Sequence, residues 1–333
     1  MKRGFYRIPT IGLVALIAAA AALGFLAQRT TASSLSETVI GMFPKQVGEF
    51  AYADMKTARK FQWFPQLRDQ ILPSRFRQFE QFLSSAGIDP NTQVDELAWG
   101  GLSLNRAANT EEIVGVALGA FDPSSAEQHF KQQKLPTIDV QGYHMYAFGS
   151  GTAPGDILFV FIDSNTAAFG HRSALEKLIA VRSGNAESLA TNDQIYPLIH
   201  AVNGTGIIWA VLDQNYTHLA MSQLIPQANQ FPQAETIINR MKAMTISVDA
   251  DNGVDARFAA VCSTTEDANV LSAALQAGIM YRRYQQGQSD PVLSAALDQV
   301  RITPSGDHLN VEIPISQDQL LSLIRSRVFA VPM

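Results

Sequence analysis

Four times along this chain an apolar, strand-like run leads straight into a residue suited to cap a helix, and the four junctions form two evenly spaced pairs. "EEIVGVALGAFDPSSAEQHF" puts Asp122 at the cap and Pro123 at the first helical position, where a missing N–H is tolerated. "VDARFAAVCSTTEDANVLSAAL" puts Ser263 at the cap with Glu266 three residues on, the capping-box spacing. "TAAFGHRSALEKLIA" repeats the device with Ser173 and Glu176, and "LNVEIPISQDQLLSLI" repeats it with Ser316 and Gln319. Asp122 and Ser173 lie 51 residues apart, Ser263 and Ser316 53. Upstream of each pair stands an apolar strand ending in Asp: "EFAYADM" (49–55) with Asp54 and "GIIWAVLD" (206–213) with Asp213.

This spacing predicts two copies of one plan, residues 49–182 and 206–326. The first copy is longer between its Asp-terminated strand and its first capped helix. The excess matches an extra amphipathic helix, "PSRFRQFEQFLSSAG", in which Phe76, Phe79, Phe82 and Leu83 recur at three- and four-residue steps before Gly87 stops it. Consecutive strands look hairpin-joined: "AMTISVDADNGVDARFAAV" turns at Asp251-Asn252-Gly253, and "DILFVFIDSNTAAFG" turns at Asp163-Ser164-Asn165. The expected class is α+β, with two similar halves (49–205 and 206–333), each a mainly antiparallel sheet carrying helices on one face. If the halves are copies, the groove between them is where a ligand is expected.

Ahead of this body, Ile8 to Gln28 contains no charged residue. As a helix its 21 residues would be about 31 Å long, the thickness of a bilayer's hydrocarbon core, whereas secretory signals usually have apolar stretches of about 7–15 residues. Lys2, Arg3 and Arg7 precede it, so the N-terminus is expected in the cytoplasm and the body on the far side. The expected localisation is the inner membrane, single-pass, with a periplasmic body. Thr30 and Ala32 also fit a cleavage site, so residues 1–32 are either a signal-anchor or a signal peptide removed near Ala32. Residues 33–48 read as a short tether.

Charge sharpens this picture. The chain carries 25 basic and 30 acidic residues, and the four basic residues before Ser33 have no acidic counterpart. The remainder is therefore acidic by nine charges, the wrong footprint for nucleic acid. The single cysteine, Cys262, excludes an internal disulfide.

Three stretches, "MFPKQVGEFAYADMKTARK", "SSAGIDPNTQVDELAWGG" and "FIDSNTAAFGHRSALEKLI", resemble a group of uncharacterised exported bacterial envelope proteins with a duplicated α+β body. The resemblance spans most of residues 42–324. It implies an exported, duplicated body and carries no activity.

No chemistry-bearing pattern emerges. His129, His144, His171, His200, His218 and His308 include no pair at the i, i+4 ligand spacing, although His171 precedes a helix start where an imidazole could meet an anion. Cys262, in "RFAAVCS", reads as a buried small hydrophobe. "DADNGVD" (249–255) has Asp-x-Asp and Gly but lacks a calcium loop's twelfth-position Glu, Ala260 standing there instead. "GSGTAPG" (149–155) precedes a strand, whereas a phosphate cradle opens a helix. The carboxylate pairs Asp95-Glu96 and Glu111-Glu112 read as solvated edges. The helix "TTEDANVLSAALQAGIMYRRYQQ" carries Ala268, Leu271, Leu275, Ile279 and Arg282 on one stripe, expected to pack on its own sheet, with partner docking as the alternative. No catalytic, cofactor-binding or metal residue is assigned, and no cofactor is expected. The membrane, through residues 8–28, is an expected partner, and a protein partner or small ligand is left open. The function expected is non-enzymatic binding or scaffolding in the cell envelope. A small-molecule or lipid-binding periplasmic module is the first alternative, and an enzyme with a scattered active site the second.

Overall fold

The two Asp-terminated strands are neighbours at the centre of the molecule. The computed structural model describes residues 33–72, 74–105, 110–153, 155–224, 238–250, 254–286 and 291–325, so residues 1–32 and the 251–253 turn lie outside the described residues. Strand β1 (Glu49–Asp54) pairs antiparallel with β8 (Ile208–Asp213), Ala51 opposite Ala210. Their pairing joins everything into one 12-stranded sheet. Outward from β1 run β2 (Val94–Asn105), β3 (Thr110–Gly119), β7 (Thr166–Gly170), β6 (Ile157–Phe161), β5 (Tyr143–Phe148) and β4 (Thr137–Val140). Outward from β8 run β9 (Met241–Ala250), β10 (Val254–Cys262), β12 (His308–Ile315) and β11 (Arg301–Ser305). Every pairing between these strands is antiparallel.

The protein is therefore an α+β fold built on one sheet, and the expectation of a separate sheet in each half is corrected. The physical reason lies in β1 itself. All six of its residues are buried, so both of its faces are covered and an unpaired edge would strand backbone groups in the core. From the centre outward, β1-β2-β3-β7-β6 and β8-β9-β10-β12-β11 follow the same connectivity, with the β4–β5 hairpin additional in the first half.

Helices cover both faces of the first half, where one face was expected. On the front face Ala51 and Ala53 meet α2 (Met55–Ala58) and α3 (Phe64–Ile71), while α4 (Ser74–Ser85) and α6 (Pro123–Gln132) cover the outer strands. Between them the short α5 (Pro90–Gln93) leads into β2. On the back, Phe50 and Tyr52 meet α1 (Glu37–Ile40), α7 (Arg172–Arg182) and α8 (Tyr196–Val202). The second half places α9 (Gln214–Leu224), α10 (Thr265–Gln286), α11 (Pro291–Asp298) and α12 (Gln317–Arg325) on the front. The back of its outer strands carries Arg257, Asn310, Arg301 and Thr303, all exposed. Strands buried on both faces read as continuous apolar runs such as "ILFVF", whereas β11 alternates.

Residues 33–48 are not a free tether. Leu35, Ile40, Phe43 and Val47 are buried in the back-face core. Ser33 Oγ lies 2.6 Å from Tyr52 Oη and donates to Asp54 Oδ2 at 2.7 Å.

The caps differ in detail from the sequence reading. Asp122 accepts from Ser125 N, and Ser316 and Gln319 form a reciprocal box. Helix α10 is instead capped by Thr264, which accepts from Asp267 N at 3.1 Å, while Ser263 Oγ donates to Arg240 O. The cap position of α7 is His171, and Ser173 Oγ donates to Glu112.

Candidate functional site

Beneath α10, on the front face of the second half, lies a partly open cleft of about 300 Å³. Its floor is the sheet: Met244 of β9, Ala256, Phe258 and Ala260 of β10, then Leu309, Val311 and Ile313 of β12. Strand pleating sets this floor, because alternate residues of neighbouring strands point the same way. Leu271, Leu275 and Ile279 form the roof at four-residue steps along α10. Met221 and Met241 close one side, and Leu297 and Val300 the other. All fifteen lining side chains are apolar, so the cleft offers no nucleophile, acid, base or metal ligand. It can hold hydrocarbon. Methionine, unbranched and flexible, suits a wall that must adapt to a ligand's shape.

The cleft is not at the junction between the halves, where the sequence reading places a ligand. That junction holds a buried acid cluster instead. Glu49 of β1, 3% exposed, has an oxygen with no hydrogen-bond partner among the described residues, and the Tyr216 hydroxyl on α9 faces Glu111 beside it. Gly101 and Gly48 make the room. A Cβ at Gly101 would collide with Tyr216 Oη and Glu111 Oε1, and one at Gly48 with Asp213 Oδ2. Burial pushes the Glu49 carboxyl well above its ordinary range, with further rises from the charges of Glu111 and Asp213. Burial likewise lifts Glu111 to about 7. Glu111 is thus no solvated edge residue. Its neighbour Glu112 points the other way, to Lys177 at 2.9 Å and Ser173 at 2.8 Å; burial raises its carboxyl, but the hydrogen bonds from Lys177 and Ser173 and the nearby positive charge together outweigh this and hold it below its ordinary value. Asp95 pairs with Arg59 at 2.6 Å, and Glu96 accepts from Tyr52 Oη at 3.1 Å.

The remaining sequence candidates stay apart. His171 Nδ1 accepts from Ile113 N at 3.0 Å, so its ring is turned to the β3 backbone and makes no cap bond to α7. His200 lies 3.7 Å from Glu37, and His308 2.7 Å from Asp307. His144 pairs with Asp139 across the β4–β5 hairpin, His129 is on α6, and His218 is on α9. Among the described residues no three His, Cys, Asp or Glu side chains converge where a metal ion could sit. Cys262 is fully buried at the end of β10, and burial raises its thiol pKa, with the Asp267 and Asp307 charges adding to the rise. In the glycine-rich segment, Ser150 Oγ and Ala153 N both donate to the Asp156 carboxylate. Residues 249 and 255 flank the hairpin turn, where Asp255 pairs with Arg257 at 2.5 Å.

No protein-family model matches this chain, and no curated protein is similar to it. Among solved structures it is similar to crystal forms I, III and IV of TP0453, each at 12% identity. The first alignment covers 90% of this chain and 99% of that one at a TM-score of 0.47. The other two each cover 86% of this chain, with 97% and 95% of TP0453, at TM-scores of 0.49 and 0.48.

Sequence reasoning placed Leu271, Leu275 and Ile279 on one stripe but assigned the stripe to core packing. The cleft itself had one available signal, the pairing of small Ala256 and Ala260 in β10 beneath large residues on α10.

Proposed function

We propose that this protein is a non-enzymatic cell-envelope module that holds an apolar chain in the cleft beneath α10. The observation that carries the reading is the lining: fifteen apolar side chains around about 300 Å³, the lower end of the size of small-molecule pockets. A stable protein core of this composition closes on itself, because unfilled apolar volume forfeits packing contacts. Space kept open and free of polar groups is suited to a hydrocarbon guest.

In this reading residues 8–28 anchor the chain in the inner membrane, and the body is exported as two copies of one strand–hairpin–helix plan. The matched strand order supports the duplication. One element departs from it, since α7 lies on the back and α12 on the front. Among the described residues no helix is long and apolar enough to cross a membrane, and the proposed anchor lies outside them.

The test is organic extraction of the full-length chain purified from membranes, followed by mass spectrometry. A hydrocarbon compound near one per chain is expected from the wild type, and its loss from Ala260→Phe, which fills the floor. Extracts from the two that do not differ would refute the cleft reading. A second reading has its own observation: Val270, Met280 and Tyr281 are 43%, 66% and 57% exposed on α10, a surface suited to a protein partner. Met280→Glu would then abolish co-purification of that partner and leave the extract unchanged.

A further inference from the structure

The roof helix carries a charged residue one step beyond each end of its cleft-lining row. Leu271, Leu275 and Ile279 line the cleft at four-residue steps, and the same row, turning about 40° around the helix at each step, continues to an acid, Asp267, before them and to a base, Arg283, beyond them. Each end of the row is tied to a neighbouring element by an Arg–Asp pair, but the ties are unlike. At the first, Asp267 is deeply buried, pairs with Arg240 at 2.9 Å and accepts from Thr264 Oγ1 at 2.8 Å. It is fully engaged and would repel an anion. At the second, Arg283 pairs with Asp298, which directly follows the cleft-lining Leu297, and both side chains are nearly half exposed. An exposed pair of this kind is weak and exchanges readily.

We infer that the cleft takes a single-chain amphiphile with a carboxylate head group, a long-chain fatty acid, whose chain lies under Leu271, Leu275 and Ile279 and whose head group replaces Asp298 on Arg283. The inference rests on the reading of the cleft as a hydrocarbon site. Three observations select the head group. The lining offers a buried head no hydrogen bond, so the head must sit at an end, since burying it unpaired would be costly. The Asp267 end is closed. The Arg283 guanidinium already holds a carboxylate, so a ligand carboxylate substitutes like for like in the same planar fork. From Leu271 to Arg283 the helix rises about 18 Å, room for an extended chain with its head at the mouth.

The experiment uses the full-length chain in phosphatidylcholine nanodiscs, with a diazirine-bearing palmitate and its methyl ester as photoprobes. Labelled peptides are identified by mass spectrometry. The acid is expected to label peptides from residues 265–286 and 296–313 more strongly than the ester. Arg283→Gln should lower labelling by the acid about fivefold and leave the ester unchanged. Asp298→Asn should raise labelling by the acid, because it frees Arg283. A purely structural ion pair would give losses in both variants and with both probes, and that outcome overturns the inference. Equal labelling by acid and ester, insensitive to either substitution, overturns the head-group assignment while leaving the hydrocarbon cleft standing. Labelling that misses the cleft peptides, or that survives Ala260→Phe, removes the cleft reading and this inference together.

Discussion

The front faces of the two halves share a strand order and differ in what fills them. Beneath α4 and α6 the first half is packed with rings. Phe130 lies 4.8 Å from Tyr146 and 5.5 Å from Phe82, Phe79 lies 5.6 Å from Phe148, and Phe159 lies 4.9 Å from Phe161, centroid to centroid. Beneath α10 the second half has Ala256, Ala260 and three methionines, with one aromatic lining residue, and about 300 Å³ stays open. The covering helices differ too: α6 has 10 residues and α10 has 22. One frame thus closes into a packed core on one side and leaves an apolar cleft on the other. The difference is made by side-chain volume, not by topology.

The sharpest way to break this comparison is to remove one large side chain from each floor or roof and compare the losses. Phe130 is fully buried among rings that cannot collapse into its place. Phe130→Ala should lower unfolding stability by about 3–5 kcal/mol. Leu275→Ala, in the partly open cleft, should cost only about 1 kcal/mol in the ligand-free chain, since its neighbours already leave one side of it unpacked. Urea unfolding of both variants measures this. Equal losses would mean that the cleft is packed as tightly as the core beside it.

The frame was legible in the sequence because its signals are local. Apolar runs, hairpin turns and cap residues mark strands and helices wherever they occur, and the Gly87 stop appears in the structure as a positive φ of 78°. The joining of β1 to β8 was not legible. It depends on two edges 150 or more residues apart being buried together, and nothing local encodes a partner. The acid cluster escaped for the same reason. Glu49 and Glu111 look like ordinary strand-end acids until Gly48 and Gly101 let Asp213, Tyr216 and Glu111 close over the β1–β8 seam. The cleft escaped because an apolar stripe on a helix looks the same whether it meets a filled floor or an empty one.

The seam belongs to both halves, so it gives a second, smaller test. The folded chain raises Glu111 from an ordinary value of 4.5 to about 7 and raises Glu49 in the same direction. Between those values the native state keeps protons that the unfolded chain has released. Stability from these groups is therefore greatest near and below the ordinary carboxylate range and falls as pH rises towards and past neutrality. The slope should be about 1.4 kcal/mol per pH unit for each such carboxyl. Denaturant midpoints measured across mildly acidic to mildly alkaline pH would show it, and Glu111→Gln should flatten the curve. Glu112→Gln should not, because Glu112 is shifted the opposite way. A curve that keeps its slope in Glu111→Gln would move the titrating group elsewhere and separate the seam from the fold's pH response.

The smallest effect compares the two Asp residues that end the central strands. Asp54 caps α2 by accepting from Thr57 N at 2.8 Å, and Asp213 caps α9 by accepting from Tyr216 N at 2.9 Å. Asparagine caps about as well as aspartate, so Asp→Asn removes the charge and keeps the cap. The surroundings then decide the sign. Asp54 also accepts from Ser33 Oγ, a bond to an ionised oxygen that weakens when the charge is lost. Its repulsion of Glu96 is softened because Glu96 is only half-buried. Asp213 instead faces Glu49, which is almost wholly enclosed and cannot share its charge with solvent. Asp213→Asn should therefore stabilise the protein by about 0.5 kcal/mol at mildly alkaline pH, where Glu49 is pressed to ionise, and Asp54→Asn should destabilise it by a similar amount. Paired unfolding curves decide between this and simple equivalence of the two caps. Equal shifts in one direction would show that the two halves use their terminal aspartates alike, and that the seam's electrostatics do not reach Asp213.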